Sequence, residues 1–300
     1  MSEPLPLVDA HHHVWDLDHR PQSWLDEPGH ERIRRSFGAD DLRSAATATV
    51  AGRRLECTVL VQCVPSVEET REFLTLADTD PIVGAVVGWA DLTSPAIGDV
   101  LDALRAGPAG TYLRAVRHLV QGESDPDWLQ QPSVERGLRA VGERGLGYDV
   151  LIRSHQFPQA IRLAERLPGL PLVLDHAGKP PIARQDLDDW ERGVRQLAAH
   201  PQVRCKVSGL VTEADHEKWT VDDIRPVWDV LLAAFGPDRL MFGSDWPVCV
   251  LAGGWNRWAA TVEELLAGCS AAETTAVLAG TATTFYRLNP AERKGGAPCS

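Results

Sequence analysis

The chain has 300 residues, 44% of them hydrophobic, and a formal net charge of −12. This composition predicts a globular protein with a substantial core, built as one large domain or two small ones. The negative charge is spread along the chain and no basic stripe is present to neutralise phosphates. We therefore expect no nucleic-acid partner.

Cysteine spacing and hydropathy favour a cytoplasmic location. The six cysteines show no Cys-x-x-Cys spacing, which is typical of a reduced protein. No apolar run reaches 18 residues and no apolar stretch follows a basic N-terminal segment, so we expect neither a membrane span nor secretion. The sequence leaves open whether the protein forms a homo-oligomer.

Short apolar, β-branched segments alternate along the chain with segments of helical periodicity. We predict eight strands, at Leu5–Asp9, Cys57–Cys63, Ile82–Gly88, Tyr112–Arg117, Tyr148–Ile152, Pro171–Asp175, Val203–Val207 and Leu240–Gly243. Eight strand–helix repeats match a (β/α)8 TIM barrel in number and length. The alternative is an open doubly wound sheet, but the glycine-rich turn that often follows its first strand is absent. We predict one barrel domain over residues 1–290 and a flexible tail over 291–300.

Polar side chains follow the predicted strands where a barrel would place its active site, at the carboxyl ends. His11 and His13 lie at the end of the first strand, and alternation along a strand points both the same way. His176 ends the sixth strand, and Asp245 follows the eighth. Asp245 and His176 are the candidate catalytic residues. The alternatives are a helix-capping carboxylate and a core histidine.

Other residues near these strand ends are candidates for substrate binding. Arg117 and His118 end the fourth strand on opposite faces, so one of the two is expected to face the barrel interior. His155 either contacts substrate or caps the following helix. Trp15 and Trp246 are predicted to wall the pocket with flat apolar surfaces. Lys206 either presents its amine to the site or pairs internally with Asp149 or Asp175.

Four sequence blocks, in this order along nearly the whole chain, resemble the amidohydrolase superfamily: Asp9–Asp16, Val116–His118, Leu174–Pro180 and Phe242–Pro247. Within that superfamily they are similar to the sugar-lactone and aromatic-lactone hydrolases. The resemblance implies a (β/α)8 barrel in which Asp245 is the general base on water. It also implies that His11, His13 and His176 hold a metal ion or polarise the lactone carbonyl.

Metal content stays open at this point. Many superfamily members bridge two metal ions with a carboxylated lysine on the fourth strand, but Leu113–His118 contains no lysine. We therefore expect either no metal or one divalent ion, with zinc favoured by imidazole and carboxylate ligands. The candidate ligands are His11, His13, His176 and Asp245.

The preferred interpretation is a hydrolase that opens a neutral sugar-acid lactone, similar to L-fuconolactone, to its hydroxy acid in carbohydrate catabolism. A dicarboxylate substrate would call for several arginines, and the region around Arg117 and Trp15 offers few charges. The alternatives are a hydrolase of an aromatic-pathway lactone, a zinc-dependent decarboxylase of the same superfamily, and a sugar-binding barrel without activity.

Overall fold

Eight parallel strands form a single sheet whose order follows the chain from first to last. The computed structural model describes residues 6–288. The strands are β1 (Leu7–His12), β2 (Leu55–Val61), β3 (Val83–Gly88), β4 (Leu113–His118), β5 (Gly147–Val150), β6 (Leu172–Leu174), β7 (Val203–Val207) and β8 (Leu240–Phe242). The predicted (β/α)8 barrel is confirmed. The predicted tail over 291–300 lies outside the described residues, and the single domain over 1–290 stays a prediction.

A helix follows each strand, as the repeat predicts. The helices are α1 (Ala39–Ala45), α2 (Val67–Thr79), α3 (Ile97–Ala106), α4 (Pro132–Glu143), α5 (Phe157–Arg166), α6 (Asp188–Ala198), α7 (Val221–Phe235) and α8 (Gly254–Leu265), and then α9 (Ala271–Thr275) and α10 (Thr281–Tyr286). Ser66 caps α2 by accepting a hydrogen bond from the Glu69 backbone N–H. No helix among the described residues is long and apolar enough to cross a membrane.

The core has two layers, one between strands and helices and one inside the barrel. The inner layer is made of small and β-branched side chains from six strands, and α10 closes it with Tyr286. Parallel strands buried on both faces need such nearly continuous apolar sequences. Above this layer the barrel interior becomes polar, with Arg117, Asp149, Asp175 and Lys206 all buried.

The first strand carries a bulge that decides which of its side chains face inward. Between Asp9 and His12 the strand advances three residues, whereas its β2 partner advances two, from Thr58 to Leu60. Ala10 packs in the inner apolar layer, yet its neighbour His11 also reaches into the barrel. Regular alternation would forbid this, and the extra residue permits it. The bulge is therefore the reason that His11 and His13, and not His12, face the interior.

The seam between β1 and β8 is closed largely by the loop that follows β8. The backbone N–H of Asp245 donates to the His11 carbonyl at 2.8 Å, and that of His13 donates to the Trp246 carbonyl at 2.7 Å. The buried Asp9 carboxylate accepts from the Ser244 N–H at 2.8 Å and from the Trp255 indole N–H at 3.0 Å. It also accepts from the His11 N–H at 3.2 Å. One carboxylate thus joins β1, the β8 loop and α8.

Asp9→Ala is expected to lower the free energy of unfolding by about 3 kcal/mol or more, because three buried donors lose their acceptor at roughly 1–3 kcal/mol each. Asp9→Asn keeps an oxygen for the backbone donors and should lose less. Chemical denaturation of the two variants and the parent measures the difference. Equal stability of Asp9→Ala and the parent would show that this carboxylate does not hold the seam.

Candidate active site

The carboxyl ends of the strands surround a cavity of about 550 Å³. Of the predicted site residues, His13, His176, Asp245, Arg117 and Trp15 line it. His11 lies directly behind His13 and is fully buried. The cavity therefore has a polar floor made by β1, β4, β6 and β8, which is where a barrel places its chemistry.

Three histidines and one carboxylate meet at this floor. The Nε2 atoms of His11 and His13 are 3.2 Å apart. Asp245 Oδ1 lies 3.7 Å from His11 Nε2 and 3.5 Å from His13 Nε2. His176 Nε2 lies 3.9 Å from the same oxygen. The Asp245 side chain thus points at the histidines, which is not the orientation of a helix cap.

Backbone geometry directs two of these side chains. Asp245 has φ of 57° and His176 has φ of 50°, a left-handed region that non-glycine residues seldom occupy. Such conformations cost of order 1–3 kcal/mol and persist where surrounding structure enforces them, often at functional sites. Here the backbone bond from Asp245 to the His11 carbonyl and the hydrogen bond between His176 Nδ1 and Ser208 Oγ, at 3.0 Å, hold the two residues in place.

Burial keeps His11 and His176 uncharged by lowering the pKa of each ring. It is the main reason that the pKa of His11 lies well below its ordinary value, and the nearby Lys206 ammonium lowers it further. Burial also lowers the pKa of His176 to about 4. For Asp245, burial favours the neutral acid, but His176, His13 and Lys179 outweigh it and the net pKa is lowered. At neutral pH the floor therefore presents the ionised Asp245 carboxylate beside the neutral rings of His11 and His176.

A buried charge network lies beneath His11. Lys206 Nζ is 2.5 Å from Asp149 Oδ2 and 2.9 Å from Asp175 Oδ1. Arg117 Nη1 donates to Asp175 Oδ2 at 3.1 Å, and the Tyr286 hydroxyl donates to Asp149 Oδ2 at 2.8 Å. Two cations and two carboxylates balance, which satisfies the requirement that buried charges be paired. The predicted internal pairing of Lys206 is thus present with both carboxylates.

The donor set at the floor fits a divalent metal ion. His11, His13 and Asp245 offer one ligand atom each within 4.8 Å of one another, and His11, Asp175 and His176 form a second such group. Ligands of one zinc ion at ~2.0–2.1 Å lie roughly 3.3 Å apart, close to the separations in the first group. His176 is the predicted ligand that does not share this first group.

Only some of the remaining residues predicted to bind substrate reach the cavity. Arg117 faces inward, whereas His118 turns outward, stacks on Trp128 and bonds to Glu123 at 2.7 Å. This is the division of faces that strand alternation predicts.

Two further predicted substrate contacts lie away from the cavity. Trp246 is buried against Phe37 behind the cavity wall and does not line it. His155 is exposed on a short turn, Ser154–Gln156, and also lies outside the lining.

The structure adds lining residues that sequence reasoning missed. Cys63 lies beside His13, and the cavity mouth carries Lys179, whose Nζ is 3.4 Å from Glu213 Oε1. His30 and His216 come from loops after β1 and β7. Cys63 ends one predicted strand and Lys179 lies four residues after another, so these positions indicated that both side chains could lie near the site. The two loop histidines carried none, because loop paths are not encoded in periodicity.

Comparison with known proteins gives a consistent assignment. The amidohydrolase family model matches residues 8–288. The L-fucono-1,5-lactonase of Burkholderia ambifaria is 35% identical over 288 residues, covering 94% of this chain and 96% of the relative. That of Burkholderia multivorans is 37% identical over 299 residues, covering 96% and 98%.

A solved structure agrees with these sequence relatives. The crystal structure of a Burkholderia multivorans amidohydrolase with bound zinc has a TM-score of 0.87 and 37% identity, covering 95% of this chain and 100% of that one. A second crystal form of a Burkholderia multivorans amidohydrolase, with bound HEPES, also has a TM-score of 0.87. The strand-end motifs, the barrel and these relatives together show that the chain belongs to the amidohydrolase family.

Proposed function

We propose that this protein hydrolyses the lactone of a neutral sugar acid, similar to L-fuconolactone, with Asp245 as the general base. The observation that supports this most directly is the ionised Asp245 carboxylate at the floor of a cavity, facing the rings of His13 and His176. The two L-fucono-1,5-lactonases that are 35% and 37% identical to this chain support the choice of substrate class.

The charge of the cavity favours a neutral substrate. Its basic lining residues are Arg117, Arg153 and Lys179, and its acidic ones are Glu27, Glu213 and Asp245. Arg117 is already paired with Asp175, and Lys179 with Glu213, so of the three basic lining residues Arg153 alone has no described ion pair, which is too few for two carboxylates. A dicarboxylate would need cationic groups free to receive it. A polyhydroxylated ring needs hydrogen-bonding groups instead, and Gln121, Thr212 and His216 are among those available in the lining.

The proposed reaction uses the carboxylate twice. Asp245 accepts a proton from a water molecule as the water oxygen attacks the lactone carbonyl carbon. The carbonyl electron pair moves onto oxygen, and the Arg117 guanidinium and the His176 ring at the cavity floor are the groups placed to stabilise that oxyanion. When the tetrahedral intermediate collapses, the bond to the ring oxygen breaks, and Asp245 returns the proton to that oxygen.

A divalent ion held by His11, His13 and Asp245 would supply Lewis-acid polarisation of the carbonyl. The steps assigned to Arg117, His176 and Asp245 depend on the positions of these side chains alone. Apolar lining from Trp15, Leu119 and Leu151 limits water around the ring, which strengthens each electrostatic contact at the floor.

The direct test is a pH-indicator assay of acid release from a panel of neutral sugar lactones, with a dicarboxylate lactone and an aromatic carboxylic acid as comparators. Acid release from the neutral lactones supports the proposal. Preferential hydrolysis of the dicarboxylate lactone would move the substrate class to the aromatic-pathway lactones. Loss of carboxylate from the aromatic acid, without lactone hydrolysis, would indicate the decarboxylase.

Asp245→Asn is expected to lower kcat for lactone hydrolysis by roughly 10²- to 10⁴-fold, the usual contribution of a general base. The fold should persist, because the backbone hydrogen bond from residue 245 to His11 is retained. Glu27→Gln, which changes an exposed carboxylate of the same cavity, is the matched control and should keep most activity. Near-full turnover by Asp245→Asn would contradict the assigned role.

Gly209, just after β7, has no side chain and so leaves space for the side chains of His176 and Asp245. A Cβ at this position would lie 2.6 Å from His176 Nδ1 and 2.9 Å from Asp245 Oδ2, and the backbone φ is +62°. Both atoms belong to buried, well-held side chains. A methyl group here would therefore displace the floor of the site.

Gly209→Ala is expected to lower kcat/KM by about 10²-fold, the scale of a 1 Å displacement of reacting groups. Gly236→Ala is the control, because Gly236 has φ of +69° but open space around its Cβ position. Both variants carry similar backbone strain, but only the Gly209→Ala methyl group would enter the site. A larger loss of kcat/KM in Gly209→Ala than in Gly236→Ala therefore measures the steric effect. Equal losses in both variants would argue against a steric role for Gly209.

A further inference from the structure

Four consecutive residues after β6 have left-handed backbone angles. His176, Ala177, Gly178 and Lys179 have φ of 50°, 52°, 70° and 55°. Of these only the glycine adopts the conformation without steric cost, and a left-handed turn of several residues is rare in chains of L-amino acids. The turn closes on itself, because the Lys179 backbone N–H donates to the His176 carbonyl at 2.8 Å. Two residues that line the catalytic cavity are therefore held side by side.

Side chains from two other elements hold this turn in place. The Trp190 indole N–H, from α6, donates to the Ala177 carbonyl at 2.7 Å, and the Ser154 hydroxyl donates to the Lys179 carbonyl at 2.9 Å. Strained backbone persists where surrounding structure enforces it, often at active sites and ligand-binding sites. The role of His176 accounts for the start of the turn. Lys179, at its end, has no part in the reaction steps proposed above.

Lys179 faces Glu213 on the cavity wall, in an ion pair that is only partly closed. Glu213 ends a short 3₁₀ helix after β7, Leu210–Glu213. The Lys179 Nζ and Glu213 Oε1 atoms are 3.4 Å apart, and the two side chains are 19% and 20% exposed. By comparison, Arg144 at the end of α4 donates to both oxygens of Asp102, at 2.8 and 2.6 Å. The longer separation indicates that Lys179 and Glu213 do not satisfy each other.

Both charged groups keep unused hydrogen-bonding atoms. Within residues 6–288, no further group bonds to the Lys179 ammonium or to the Glu213 carboxylate. An ammonium carries three donors and a carboxylate carries two acceptor oxygens, so most of this capacity is free. Both side chains line the cavity. A ligand in the cavity therefore meets donors and acceptors next to each other.

We propose that Lys179 and Glu213 together form a binding site for one hydroxyl group of the sugar-acid lactone. A hydroxyl donates one hydrogen bond and accepts others, so it can donate to Glu213 while its oxygen accepts from Lys179. An oxygen about 2.8 Å from each of two atoms that are 3.4 Å apart is within hydrogen-bond distance of both. This assignment rests on the proposed function for the identity of the ring that carries the hydroxyl.

The same pair disfavours other groups at this point of the ring. A carboxylate would be attracted by Lys179 but repelled by Glu213, and the reverse holds for an amine. A ring that lacks the hydroxyl would leave both charged groups without the bond, which is the basis on which polar sites reject deoxygenated analogues. We therefore expect the pair to determine specificity, whereas Asp245 carries out the proton transfers.

Calorimetric titration with sugar lactams tests this site without hydrolysis. The δ-lactam of L-fuconic acid keeps the ring hydroxyls but has an amide in place of the ester. Lys179→Met and Glu213→Gln are each expected to bind it roughly 10- to 100-fold more weakly than the parent, the range of a hydrogen bond to a charged group. Among analogues that each lack one ring hydroxyl, one should bind equally to the parent and to both variants, because it lacks the hydroxyl that the pair contacts.

Glu264→Gln is the matched control. It breaks an exposed ion pair with Arg225, 3.3 Å long and outside the cavity, and should leave every lactam affinity unchanged. Equal losses for all analogues in the two cavity variants would contradict a hydroxyl site, as would unchanged affinity for the full lactam. A parent that binds no hydroxylated lactam would also contradict it. Glu213→Gln preserves the shape of the side chain, so the test stands if Lys179→Met fails to fold.

Kinetics with lactones separates this site from the reaction itself. Both cavity variants should raise KM for neutral lactones with kcat nearly unchanged, as expected for an interaction made equally in the ground and transition states. A lower kcat with unchanged lactam affinity would place Lys179 in the chemical step and overturn the proposal. If the parent hydrolyses no lactone but the lactam affinities follow the expected pattern, the hydroxyl site stands and the proposed reaction fails.

Glu213→Gln should also change which lactones are accepted. The ratio of kcat/KM for a dicarboxylate lactone to that for a neutral lactone is expected to rise by roughly 10-fold, because Lys179 becomes free to receive an anion. Loss of a purely structural ion pair would lower both values and leave the ratio unchanged, which would contradict the proposal.

Discussion

The site depends on how the barrel closes between its first and last strands. His11 lies at the end of β1 with His13 just beyond it, and the Asp245 carboxylate lies beyond β8, so the distance from His13 to Asp245 is set by the seam and not by either strand alone. Asp9 holds that seam with backbone and indole donors. Its hydrogen bonds join β1, the β8 loop and α8. These three elements together therefore fix the positions of the reacting groups.

The electrostatics of the barrel interior depend on three stacked layers of side chains. Apolar side chains fill the bottom of the barrel, a balanced set of four charges lies above them, and the neutral histidines and ionised Asp245 form the top. The side chains of each layer affect the charge state of the layer above it. Burial lowers the pKa of His11 and of His176, and the nearby Lys206 lowers that of His11 further.

The fold and the main site residues could be predicted from the sequence because they rest on short-range patterns. Eight apolar strands at regular spacing predict the barrel, and polar residues after those strands predict His13, His176 and Asp245 at one end. The alternation rule also separates Arg117 from His118. The position of His155 depends on where a loop turns. That of Trp246 depends on which side of the cavity wall its ring packs. These are tertiary outcomes that no periodicity encodes.

The bulge in β1 shows the same limit within a predicted strand. His11 and His13 face inward as alternation suggests, but Ala10 does too, and the sequence gives no sign of the extra residue. The position of the extra residue in β1 therefore determines which side chains the active site contains. A first strand of the same length without the bulge would continue the alternation of Val8 and Ala10, so that His12 would face the interior in place of His11 and His13, although every histidine would remain in the chain. A redesign of this strand must therefore keep the bulge, because the same residues from Asp9 to His13 would present a different imidazole to the interior without it.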